Sequence, residues 1–119
     1  MENRNIVKDK AYTFALSIIE LYKEMKRQNE YVLSKQLIRS GTSIGANVEE
    51  AGAAQSRKDF ISKMSIASKE ARETNYWLRL LNDSNLCEGI DYTKLIKDSE
   101  EIIKILTSIV KTSQRSVNN

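Results

Sequence analysis

Glu49 and Glu50 on one predicted helix and Glu70 and Glu73 on the next are the residues whose type and spacing come nearest to a catalytic constellation. Four carboxylates on facing helices can gather a magnesium or manganese ion, which takes oxygen ligands. Little else is left for chemistry, because the 119-residue chain contains no histidine. Serine–histidine–aspartate and cysteine–histidine nucleophile systems, the Glu-x-x-His pairs of di-iron bundles and histidine-bound metals are all excluded. The single cysteine, Cys87, stands in a predicted loop beside Glu88, whose charge opposes thiolate formation, and it reads as unreactive. Charge rows on bundle helices are ordinarily solvated or salt-bridged. No catalytic residue, metal or cofactor is therefore assigned, and the chain reads as a non-enzyme.

The basic residues offer a different chemistry. Lys35, Arg39, Arg57, Lys58 and Lys63 are the densest group, set along a predicted helical hairpin with no acidic residue between Tyr31 and Val48. Such a surface can contact phosphates of RNA or DNA, against the plainer use of a solvated face. The total, 19 basic against 16 acidic residues for a net +3, is too mild to decide between them. Phe60, Tyr76 and Trp77 fit core or interface packing before base stacking.

These residues must be positioned by helices. With 40% hydrophobic and 29% charged residues, no proline and four glycines, the composition predicts an all-α domain of one unit. Val7, Ala11, Phe14, Ile18, Leu21 and Met25 form a heptad seam on a first helix from about Arg4–Lys8 to Arg27. A second row, Tyr12, Ala15, Ile19 and Tyr22, widens its apolar arc. Helix two is predicted from about Glu30 to Ala53. Helix three opens at Ser56 with Asp59 three residues on and carries Phe60, Met64, Ala67, Ala71, Thr74, Leu78 and Leu81. A loop is expected over 82–90, then a fourth helix capped by Asp91 with Leu95, Ile102, Leu106 and Ile109, and a frayed polar tail from about Thr112. Short connections make this an antiparallel up-down-up-down four-helix bundle. No run approaches the roughly 20 apolar residues that span a bilayer. The lone cysteine and the lack of a signal peptide point to a cytoplasmic protein.

Helix two is unusually rich in small residues. Gly41, Gly45 and Gly52 share a side with Val48, while Ser43, Asn47 and Glu50 form a polar row beside them. Two interior glycines cost a helix about 2 kcal/mol together, so a neighbour is expected to use the space they leave. Gly41, Ser43, Gly45, Asn47, Glu50, Glu73 and Trp77 are the candidates for close packing or assembly. Glu73 is expected in an ion pair with Arg39 or Arg57, and Glu49 and Glu50, placed against the helix dipole, are expected to have partners outside the helix.

Ser43-Ile44-Gly45-Ala46-Asn47-Val48-Glu49-Glu50-Ala51, then Ser56-Arg57-Lys58-Asp59-Phe60, Ile66-Ala67-Ser68-Lys69-Glu70-Ala71 and Glu73-Thr74-Asn75-Tyr76-Trp77-Leu78 resemble the bacterial four-helix-bundle proteins known as 23S rRNA-intervening-sequence proteins. The resemblance runs from about Ile6 to Thr112. Many members read Ser-Ile-x-x-Asn-Ile-Ala-Glu-Gly where this chain has Glu49 before Glu50 and Ala51 for glycine, which marks a subgroup. The resemblance implies a cytoplasmic homopentamer without established enzymatic activity. Related accessory proteins of diversity-generating retroelements form pentameric barrels that bind nucleic acid and a reverse transcriptase, which adds RNA, DNA or a partner protein as expected partners. A protein-interaction scaffold without a nucleic-acid role is the alternative.

Overall fold

Heptad spacing of apolar residues, with polar side chains between them, drives four helices: α1 (Glu2–Arg27), α2 (Leu33–Gly52), α3 (Arg57–Ser84) and α4 (Thr93–Asn118). The computed structural model describes residues 2–118, and side chains from 4 to 116. Along its length each helix packs on two neighbours, α1 on α2 and α4, and α3 on α2 and α4, and at one end Arg4 of α1 reaches across the bundle to the Phe60 ring of α3. The result is the antiparallel up-down-up-down bundle the periodicity predicts, with extents of 50 × 21 × 21 Å.

The predicted α1 seam is buried from Val7 to Met25, and the predicted α3 row is buried from Phe60 to Leu81. Burial of such side chains contributes about 1.5–3 kcal/mol each and is the main force holding the helices together. Helix ends follow local chemistry. Asn29 and Asn85 adopt left-handed backbone at the ends of α1 and α3, a position glycine usually takes. Ser56, in extended backbone, accepts a hydrogen bond from the Asp59 amide at 3.0 Å, and Asp91 accepts from the Thr93 amide at 2.9 Å.

Several boundaries differ from the sequence reading. Glu30 lies outside α2 and caps it, its carboxylate accepting from the amides of Val32, Leu33 and Ser34 at 3.1, 3.0 and 2.7 Å. α3 runs on to Ser84, through residues expected in a loop. α4 does not fray at Thr112 but continues to Asn118, because the core row Leu106, Ile109 extends to a buried Ser113; Asn119 lies outside the described residues. Gly52 is exposed, and a Cβ added to it would meet nothing within 4 Å, so it is no part of the close-packed face. Gly41 and Gly45 do form that face: α1 lies against both, through Ile18 and Ala11.

Polar pairs lock the seams. Thr74 donates to Ser40 at 2.8 Å between α3 and α2, and Asn75 donates to Ser99 at 2.9 Å between α3 and α4. At one end the Gln28 side chain exchanges two hydrogen bonds with the Glu88 backbone, at 2.8 and 2.9 Å, clasping the α1–α2 connection to the α3–α4 connection. No helix among the described residues is long and apolar enough to cross a membrane.

Candidate phosphate-binding surface

The bundle scatters the basic residues that the sequence grouped. Lys35 stands near the start of α2, and Arg57 and Lys58 stand beyond its end. The 20 residues of α2 separate them by roughly 30 Å at about 1.5 Å per residue. That exceeds the screening length of about 8–10 Å, so their fields do not add. Two of the five are also engaged by carboxylates. Arg39 pairs with Glu70 at 3.3 Å and with Glu73, whose carboxylate also accepts from the Trp77 indole at 3.0 Å. Lys63 pairs with Glu50 at 3.0 Å, and that bond raises its pKa further above the ordinary lysine value. Arg39 is thus the Glu73 partner that the sequence left open.

The carboxylates divide in the same way. Glu49 and Glu50 do find partners outside their helix: Glu49 pairs with Lys8 on α1 at 3.5 Å, and Glu50 with Lys63 on α3. Glu70 and Glu73 converge on Arg39 instead. Among the described residues no three carboxylate or thiol groups gather as a metal site would require. Ser43 and Asn47 are half-buried, and the Asn47 amide donates to the Ser43 carbonyl and hydroxyl at 2.9 and 3.1 Å, so both serve their own helix. Trp77 packs its ring edge-on to Tyr76, centroids 5.3 Å apart.

A different cluster emerges between α3 and α4. An open groove of about 470 Å³ is lined by Arg72, Lys104, Lys111 and Arg115 and, among the described residues, by no carboxylate. No ion pair engages any of the four among the described residues. Arg72 is held in place by donating to the Thr107 hydroxyl at 3.0 Å, and Ser108 and Thr112 add two more hydroxyls to the lining. Lys104 to Arg115 spans about 16 Å of helix axis, the length of about five phosphates in one duplex strand. Unpaired cations and hydroxyl donors along a trough can hold phosphate oxygens without reading bases. A sequence signal for this groove exists. No acidic residue follows Glu101, and Lys104, Lys111 and Arg115 recur at seven- and four-residue steps. Reading the last residues as frayed hides that they share a helix face.

The fold has relatives. Residues 3–108 match the sequence profile of the 23S rRNA-intervening sequence proteins. The chain belongs to that family. A crystal structure from the same lineage, a protein of unknown function from the S23 ribosomal protein family of Bacteroides thetaiotaomicron, is 53% identical to this 23S rRNA-intervening sequence protein. The two superpose with a TM-score of 0.86, over 92% of this chain and 98% of the other. No curated protein matches the chain. The family is thus described without an assigned function, and not as a family of enzymes.

Proposed function

We propose that this 23S rRNA-intervening sequence protein is a non-catalytic, self-assembling cytoplasmic module that binds RNA or DNA through backbone phosphates. The α3–α4 groove carries the reading: four cations line it, and among the described residues no carboxylate neutralises any of them. Self-assembly is supported by α1, where Ile6, Tyr12 and Leu16 are 43%, 66% and 50% exposed, more apolar surface than a solvent-facing helix needs. A ring of five, the number the family resemblance implies, repeats the groove in each subunit. Weak single contacts then become an effective polyanion surface.

Titration of structured RNA and of duplex DNA at low and physiological salt tests this. Affinity is expected to fall steeply with salt, and charge reversal of Lys104, Lys111 and Arg115 together is expected to weaken binding at least tenfold and flatten the salt slope by about 0.9 per lost contact on DNA. Reversal of Lys35 alone is expected to change little. Light scattering is expected to show an assembly well above the 13.6 kDa chain. A wild-type protein with no salt-sensitive binding leaves the scaffold reading, for which the exposed apolar face of α1 is the supporting observation.

A further inference from the structure

A second hollow, of about 510 Å³, opens at the end of the bundle where α1 begins, α2 gives way to α3, and α4 ends. Ser108 and Thr112 line both it and the α3–α4 groove, so the two adjoin along α4. Its character differs from the groove's. The α2 side is walled by Ala51, Gly52 and Ala54, which project nothing larger than a methyl, and a Cβ placed on Gly52 meets no atom within 4 Å. Its inner surface includes Phe60, with the Arg4 guanidinium 4.6 Å from the ring centroid. Arg57 supplies a second guanidinium, and among the described residues no carboxylate lines the hollow.

An apolar inner wall, an arginine already stacked on an aromatic ring, and hydroxyls and a second arginine as the remaining polar groups suit a flat heterocycle joined to a phosphate. Bases splayed out of a strand stack on aromatic rings and guanidinium planes alike. The volume lies within the range of about 300–1,000 Å³ typical of small-ligand pockets. A duplex keeps its bases paired and stacked and cannot present one here. We infer that the hollow receives one unpaired nucleotide of a strand whose backbone follows the α3–α4 groove. This rests on the phosphate-binding reading above and adds to it a preference for ends, bulges or single strands over uninterrupted duplex.

Gly52 provides the test, because its open surroundings let a larger side chain plug the hollow without displacing any neighbour. Gly52→Leu and Gly52→Gln are two plugs of different chemistry, and both replace glycine by better helix formers, so neither is expected to lower the melting temperature. Fluorescence anisotropy compares a labelled blunt RNA duplex with the same duplex bearing a short single-stranded extension, and the matching DNA pair separates sugar from base effects. Wild type is expected to favour the extended duplex by roughly tenfold, the scale of one base stack. Both plugged variants are expected to lose that preference while binding the blunt duplex within about twofold of wild type. Equal wild-type affinity for blunt and extended duplex overturns the inference and leaves the phosphate-binding reading intact, as does a preference that survives in both plugged variants. A wild type that binds neither probe overturns both.

Discussion

Tyr92 holds a buried hydroxyl whose polar neighbour is the Cys87 thiol, a weak hydrogen-bonding group. Burial is the first cause that pushes its pKa up, to about 12, followed by the neighbouring Cys87 and by Glu30. Cys87 is itself buried, and burial, then Glu30 and Glu24, push its thiol above the ordinary value; the sequence placed it in a loop but not beneath the surface. Because the folded-state pKa of Tyr92 lies above its unfolded value of 10.0, the stability tied to its neutral form is complete below pH 10 and is lost as pH rises toward about 12. Tyr92→Phe is therefore expected to flatten the fall in melting temperature across that window. At pH 7 it is expected to leave stability unchanged or raise it by up to about 2 kcal/mol, since it removes a buried polar group that at most a weak thiol contact satisfies. The two interior glycines of α2 separate just as cleanly. A Cβ on Gly41 lies 2.8 and 2.9 Å from the Cγ atoms of Ile18, whereas one on Gly45 meets Ala11 at 3.6 Å, an ordinary contact. Ile18 is fully buried and stiff at χ1, so it cannot yield. Gly41→Ala is expected to cost about 1–3 kcal/mol, and Gly45→Ala to gain about 0.5–1 kcal/mol from helix propensity. Denaturant melts of the two single variants check the opposite signs.

At the scale of the helix, α2 is started by a side chain four positions upstream of its first buried residue. Glu30 satisfies three amides that would otherwise face the connection unpaired, and Val32, in the capping position, makes no side-chain bond. Its negative charge also sits at the positive end of the helix dipole. Glu30→Ala is expected to lower stability by about 1 kcal/mol, and Glu30→Gln by less, because the amide oxygen still accepts. Chemical denaturation with far-ultraviolet circular dichroism reads both. At the other end of the same helix, Glu49 and Glu50 oppose the dipole but meet Lys8 and Lys63. Their partners come from α1 and α3, which explains why local rules flag the pair without naming what answers it.

For the molecule as a whole, the fold was legible because heptad rows such as Val7 to Met25 and Phe60 to Leu81 repeat without interruption, and each row maps onto one buried stripe. Surface chemistry was much less legible. Lys35 and Arg57 belong to one helical hairpin yet lie at opposite ends of its first helix, and Arg39 is claimed by two glutamates more than 30 positions away. The α3–α4 groove joins Arg72 to residues of a helix whose last turns look too polar to persist, and only the buried Ser113 reveals why they do. Charge clusters depend on which helices become neighbours, and periodicity within one helix carries no such information. Backbone packing along the four sides of the bundle bears on how the chain reaches this state. Three seams join helices adjacent in sequence, and each can close as a hairpin, whereas α1 and α4 meet only across the whole intervening chain. Closing that longest loop carries the largest entropic cost, so the α1–α4 seam is expected to form last on the folding pathway. Ile102 and Phe14 line the trough between these helices. Ile102→Val, at a cost of about 1 kcal/mol, is then expected to quicken unfolding about fivefold while the refolding limb of the chevron stays near wild type.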